Sequence, residues 1–166
     1  EDALETYRYN HPSVGLQFDM AESGPSEVPV SPNQVDLVIG GPPCKGFSLA
    51  GERDPDDERN QLVSHFIDYV EHFEPEIAVM ENVVGILSME DGDVVEYVHD
   101  RYEDAGYNIE HKTLHANNFG IAQTRSRVFF IAVREDIGEP AYPEETTPNT
   151  TQPVQNVLSQ NFDQYE

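Results

Sequence analysis

A single cysteine, Cys44, serves the whole chain of 166 residues, so no disulfide can form within it. Tryptophan is absent, and only two lysines occur, Lys45 and Lys112. No apolar run is long enough to span a bilayer. No charged-then-apolar leader opens the sequence, and a lone free thiol suits a reducing compartment, so the expected location is cytoplasmic. The first residue is Glu1, not Met, within helix-like sequence, as in a fragment cut from a longer protein. The length fits one domain with a core of its own.

Basic residues are also scarce: 9 against 32 acidic ones, for a formal charge of −23. Affinity for nucleic acid comes from neutralising phosphates with Lys and Arg, so such a balance ordinarily argues against it. The acids are dispersed, however, as in Asp54-Pro55-Asp56-Asp57-Glu58 and Glu90-Asp91-Gly92-Asp93. A dispersed acidic surface on a well-patterned chain reads as halophilic, because screening at about 3 Å in molar salt suppresses self-repulsion. The rival reading is mimicry of an acidic partner. On the first reading the charge describes the solvent and does not exclude DNA.

Apolar periodicity predicts a short helix over 2–10 and a strand over 14–18 that exits at Asp19 and Met20. An exposed Ser/Pro/Gly-rich connection follows over 21–34, then a buried strand over 35–39. Leu62, Val63, Phe66, Ile67, Val70 and Phe73 form one helical stripe, which Pro75 ends. A strand over 77–80 leads to Glu81-Asn82-Val83, and Val94, Val98 and Tyr102 mark a second amphipathic helix that stops at Gly106. Strands are expected over 109–114 and 128–133. This alternation predicts an α/β fold, a mostly parallel twisted sheet with helices on both faces.

The most informative stretch is Gly41-Pro42-Pro43-Cys44-Lys45-Gly46-Phe47-Ser48, directly after the strand over 35–39. Loops beyond the carboxyl ends of strands are where open α/β sheets bind ligands. A cysteine in a Gly/Pro-rich loop there reads as a reactive group more than as packing. Adjacent parallel strands would bring Cys44 and Glu81 to one edge of the sheet, and Gln123-Thr124-Arg125-Ser126-Arg127 precedes the last strand. A thiol, a carboxyl and a guanidinium around one crevice suit the activation of an electron-poor heterocycle. Taken singly, Glu81 reads equally as a carboxylate capping a turn, and Arg125 and Arg127 as exposed loop cations. The six histidines show no metal-binding spacing with acids or with Cys44, and no metal is expected.

Gly-Pro-Pro-Cys-x-Gly-Phe-Ser, Glu-Asn-Val and Gln-x-Arg-x-Arg, in this order over residues 1–150, resemble the core of the DNA (cytosine-5) methyltransferases. The resemblance implies a Rossmann-like S-adenosylmethionine-dependent core, and a reaction on a cytosine flipped out of DNA. Cys44 would attack C6 as thiolate, Glu81 would bind N3 and the exocyclic amine, Arg127 would hold O2, and Arg125 would support the site and nearby phosphates. Asn82 would fix the loop geometry. S-adenosylmethionine is the implied cofactor, with Asp19 at the adenine amine, Met20 beside the ring, and Pro43 and Leu62 lining the cleft. An Asx turn is the plain alternative for Asp19. Lys45, which stands where glutamine is usual, Ser48 and Arg53 would lie on a loop that closes over DNA.

The family's opening glycine-rich cofactor loop, its ribose-binding carboxylate and its target-reading region are not found in the sequence. The expected organisation is therefore a partial methyltransferase catalytic domain over 1–138. A Pro/Thr/Gln-rich tail or linker over 139–166 would lead toward a missing target-recognition region. Rival readings are the same chemistry on tRNA, a non-catalytic or split module with a companion chain supplying the missing parts, and a thiol redox protein. The last suffers from the lack of a second cysteine. Whether methylation serves restriction-modification or regulation stays open at this point.

Overall fold

In the computed structural model, residues 2–11, 15–43 and 62–148 are described. Helix α1 is Asp2–Asn10, followed by 3-10 turns at Pro25–Glu27 and Pro32–Gln34. Strand β1 is Leu37–Gly40, helix α2 Leu62–Phe73, strand β2 Ile77–Asn82 and helix α3 Asp93–Asp104. Strand β3, Tyr107–His115, and strand β4, Ser126–Arg134, complete a sheet in the order β1-β2-β4-β3.

The expected mostly parallel sheet is a mixed one. β1 pairs with β2 in parallel, whereas β4 is antiparallel to both of its neighbours. The cause is the connection: β1 and β2 are joined through α2, while β3 turns straight back into β4 over residues 116–125. Three strands share a direction, and β4, inserted between β2 and β3, runs against them. The strand expected over 14–18 is a further correction, since 15–19 carry no strand. Asp19 there opens a turn, its carboxylate accepting from the Ala21 amide at 3.0 Å while its carbonyl accepts from Ser23 at 2.7 Å.

The helices do not cover both faces of the sheet in the described residues. Val63, Phe66, Ile67 and Val70 of α2 share one core with Val94, Val98 and Tyr102 of α3. That core takes alternate strand residues, Ala78 and Met80 from β2 and Val128, Phe130 and Ala132 from β4. Each large side chain buried here stabilises the fold by about 1.5–3 kcal/mol. The opposite face leaves Leu37 and Ile39 exposed on β1, while over β3 and β4 it carries Tyr142. The Tyr142 hydroxyl bonds to the Glu110 and Phe129 carbonyls, and its ring lies under the Lys112 ammonium.

Helix ends follow local chemistry. Glu74 takes the left-handed conformation (φ 47°) that closes α2, and Pro75, which cannot extend a helix, offers its carbonyl to the buried Tyr107 hydroxyl at 2.7 Å. α3 carries Asp93 and Glu96 in its first turn and Arg101 in its last, each sign matched to the helix dipole. Arg101 also ties α3 to α2, with Asp68 at 2.9 Å and Glu71 at 2.7 Å. Among the described residues no helix is long and apolar enough to cross a membrane.

Candidate active site

The parallel register aligns Gly40 with Met80, so the next residues outward, Gly41 and Glu81, meet at the carboxyl ends of β1 and β2. A Cβ added at Gly41 would stand 3.0 Å from the outer carboxylate oxygen of Glu81. A Cβ at Gly40, facing the opposite way, would stand 2.8 Å from the Phe66 ring. The tandem glycines thus admit the carboxylate on one face and the helix on the other.

Arg127 reaches Glu81 from β4. Its Nε donates to Oε1 at 2.8 Å, and its Nη1 donates to the Ser126 carbonyl at 2.8 Å. The pair is half-buried, with the Arg127 side chain 23% and the Glu81 side chain 38% exposed, so the carboxylate is oriented yet open to a ligand. Asn82, buried in the same strand, donates from Nδ2 to the Pro42 carbonyl at 3.0 Å and accepts the Val83 amide at 2.9 Å. It ties Pro42, two residues before Cys44, onto β2.

Cys44, Lys45, Ser48 and Arg53 lie outside the described residues. Arg125 is exposed on the loop between β3 and β4, where its carbonyl accepts the Ala116 amide at 2.9 Å. The structure therefore brings together Glu81 and Arg127, with Arg125 two residues away along the chain.

On the helix side of β1 lies an apolar cavity of about 350 Å³. Met20, Pro43 and Leu62 line it, as do Gly40, Phe66 and Tyr69. Asp19 is exposed beside Met20 and does not line it. The Tyr69 hydroxyl donates to the Ser23 carbonyl at 2.9 Å, holding the turn that carries Met20 against α2. Phe66 and Tyr69 were not among the expected cleft residues, although with Leu62 they follow helical spacing along one edge of α2. Among the described residues no three His, Cys, Asp or Glu side chains gather closely enough to hold a metal ion.

The sequence matches the C-5 cytosine-specific DNA methylase family over residues 1–165. The chain belongs to this family. It is 41% identical over 138 residues to the type II methyltransferase M.DdeI of Desulfomicrobium norvegicum, an alignment covering 81% of this chain and 33% of that protein. Identity to the type II methyltransferase M.AgeI of Thalassovita gelatinovora is 43%, covering 80% of this chain and 32% of the relative. The chain thus spans about a third of the length of these curated methylases. In structure it resembles a DNA modification methyltransferase encoded within an E. coli prophage, with a TM-score of 0.70 and 29% identity over 91% of this chain and 42% of that one. The Dnmt2 methyltransferase of S. pombe shares the fold, with a TM-score of 0.65 at 24% identity over 88% of this chain and 48% of that one.

Proposed function

We propose that this chain is the catalytic portion of a DNA (cytosine-5) methyltransferase acting through Cys44, Glu81 and Arg127. The observation that carries the reading is the Glu81–Arg127 pair at 2.8 Å, seated against Gly41, three residues before Cys44. The Cys44 thiolate adds to C6 of a flipped-out cytosine, forming a C–S bond and pushing electron density to C5. Glu81 binds N3 and the exocyclic amine, and Arg127, already fixed beside it, binds O2. A proton passed from Glu81 to N3, and the Arg127 guanidinium at O2, neutralise the charge that builds on the ring as the thiolate adds. Arg125 supports the site and a nearby phosphate. S-adenosylmethionine, when bound, supplies the methyl group that C5 takes. Loss of the C5 proton to water, with return of the N3 proton to Glu81, then expels the thiolate and restores the aromatic ring.

The residues present fit the adenine end of that cofactor. The cavity is apolar and walled by aromatic rings, with Met20, Pro43 and Leu62 on its lining, as a flat heterocycle needs. Asp19 stands beside it; the turn at Ala21 engages one of its carboxylate oxygens, which leaves the second for the adenine amine. Lys45, Ser48 and Arg53 are assigned to the loop that meets DNA, the expected partner.

The test uses the full open reading frame in molar KCl with S-adenosylmethionine and duplex DNA carrying 5-fluorocytosine. Fluorine at C5 blocks the final elimination, so mass spectrometry finds a covalent adduct on Cys44 that Cys44→Ser abolishes. An adduct formed on RNA and not on DNA would overturn the substrate, and no adduct on either would overturn the enzyme.

A further inference from the structure

The loop over residues 116–125 carries Arg125 and leads into Arg127 near the start of β4, yet apolar burial does not hold it. The 3-10 turn Ala116–Phe119 contains no buried residue, and Ile121 is 55% exposed. At its base the Ala116 amide donates to the Arg125 carbonyl at 2.9 Å, and a His115 ring nitrogen lies 2.7 Å from the Ser126 hydroxyl. Its outer limb is held from a distant part of the chain. The Thr147 amide donates to the Asn118 carbonyl at 2.8 Å, and the Thr147 hydroxyl donates to the Asn117 carbonyl at 2.8 Å. The same hydroxyl accepts the Gly120 amide at 2.7 Å. Glu145 accepts from the Asn118 side chain at 2.8 Å.

We infer that Thr147 is a positioning residue, fixing the loop over 116–125 so that Arg125 and Arg127 stand correctly beside Glu81. One hydroxyl satisfies a carbonyl and an amide of the turn at once, so its loss frees both ends of the turn together. Tyr142 anchors the segment leading to Thr147 on the carbonyls of both β3 and β4, giving the strap a rigid base. A misplacement of about 1 Å in a group that orients the substrate costs on the order of 100-fold in rate, so a loosened loop reads out in turnover. This role rests on the reaction proposed above.

The experiment compares wild type, Thr147→Val and Thr147→Ser in the full reading frame. Thr147→Val removes both hydroxyl bonds at nearly constant volume. Amide exchange at Gly120 is expected to quicken, and kcat on duplex DNA to fall roughly tenfold or more, with the KM for S-adenosylmethionine within about twofold of wild type. Thr147→Ser, which keeps the hydroxyl, restores both readouts. Unchanged exchange and kcat in Thr147→Val would overturn the inference. So would a kcat loss that Ser fails to restore, or one matched by a rise in cofactor KM. A wild-type chain that fails to trap on 5-fluorocytosine DNA would instead sink the reaction, and the positioning role with it, whatever the exchange at Gly120 shows.

Discussion

Arg127 Nε and Glu81 Oε1 are 2.8 Å apart, joining β4 to β2 on the face of the sheet opposite the helices. Half-exposed ion pairs of this kind contribute about 0–1 kcal/mol to folding, so stability gives little reason for the contact. In the proposed reaction, orientation of a carboxylate and a guanidinium toward one heterocycle gives a strong one. Arg127→Met is therefore expected to leave the thermal midpoint within a few degrees of wild type. The rate of 5-fluorocytosine trapping falls about 100-fold or more. Equal trapping rates in the two proteins would remove Arg127 from the reaction.

Gly40 and Gly41 meet different neighbours when a methyl group is added. Gly40→Ala puts a methyl group 2.8 Å from the ring of buried Phe66, at the wall of the apolar cavity, an overpacking that costs about 1–3 kcal/mol. Gly41→Ala instead crowds the Glu81 carboxylate at 3.0 Å, where the neighbour is a side-chain end able to swing away. The expected result is a lowered urea midpoint for Gly40→Ala, and for Gly41→Ala a near-normal midpoint with trapping slowed about tenfold. A Gly41→Ala protein as active as wild type would show that the carboxylate needs no such space.

Element positions were legible where burial is periodic. The stripe that predicts α2 includes Val63, Phe66, Ile67, Val70 and Phe73, all buried in the structure. β2 was legible only through Met80, because the ladder to β4 extends it across polar Glu81 and Asn82, paired with Phe129 and Val128. Strand direction has no signature in apolar periodicity, so the reversal of β4 was invisible. An apolar run over 14–18 looked like a strand, yet the described part of it has no ladder partner to make it one. The site was legible as types at strand ends. The closeness of Gly41 to Glu81 follows only once the β1–β2 register is known, and the Thr147 strap lies in a stretch that read as tail.

His99 and His111 meet where α3 packs on β3, with ring nitrogens 2.9 Å apart and the Phe130 ring beside both. One nitrogen must donate and the other accept, so protonating both rings sets two N–H groups against each other. Burial, and then the neighbouring His111, hold the His99 imidazole below its ordinary range, against the opposing pull of Glu103 and Asp100. The unfolded chain takes up this proton near its ordinary value of about 6.5, before the folded chain does. Stability from this group is thus complete above about pH 6.5 and declines as pH falls below it. The difference in urea midpoint between pH 7.5 and pH 5.5 is expected to shrink in His99→Gln. An unaltered difference would place the acid sensitivity elsewhere.

Salt is expected to stabilise this protein, even though salt weakens ion pairs. At a formal charge of −23, long-range repulsion among carboxylates opposes the compact state. The screening length drops from about 10 Å at 0.1 M to about 3 Å at 1 M, removing most of that repulsion. The Arg101 contacts to Asp68 and Glu71, at 2.9 and 2.7 Å, lie inside even the shorter length and are partly buried, so they survive. Repulsion relieved over the whole surface then outweighs attraction lost at a few pairs. Scanning calorimetry across about 0.1–2 M KCl should find the midpoint rising by roughly 5 °C or more, since 1 kcal/mol moves it by about 2–4 °C in a domain of this size. Arg101→Leu, which leaves two carboxylates facing each other, is expected to cost about 1–2 kcal/mol at low salt and visibly less in molar KCl. A midpoint that stays flat or falls with KCl would mean that the acidic surface does not oppose folding, and the halophilic reading of the charge would fall with it.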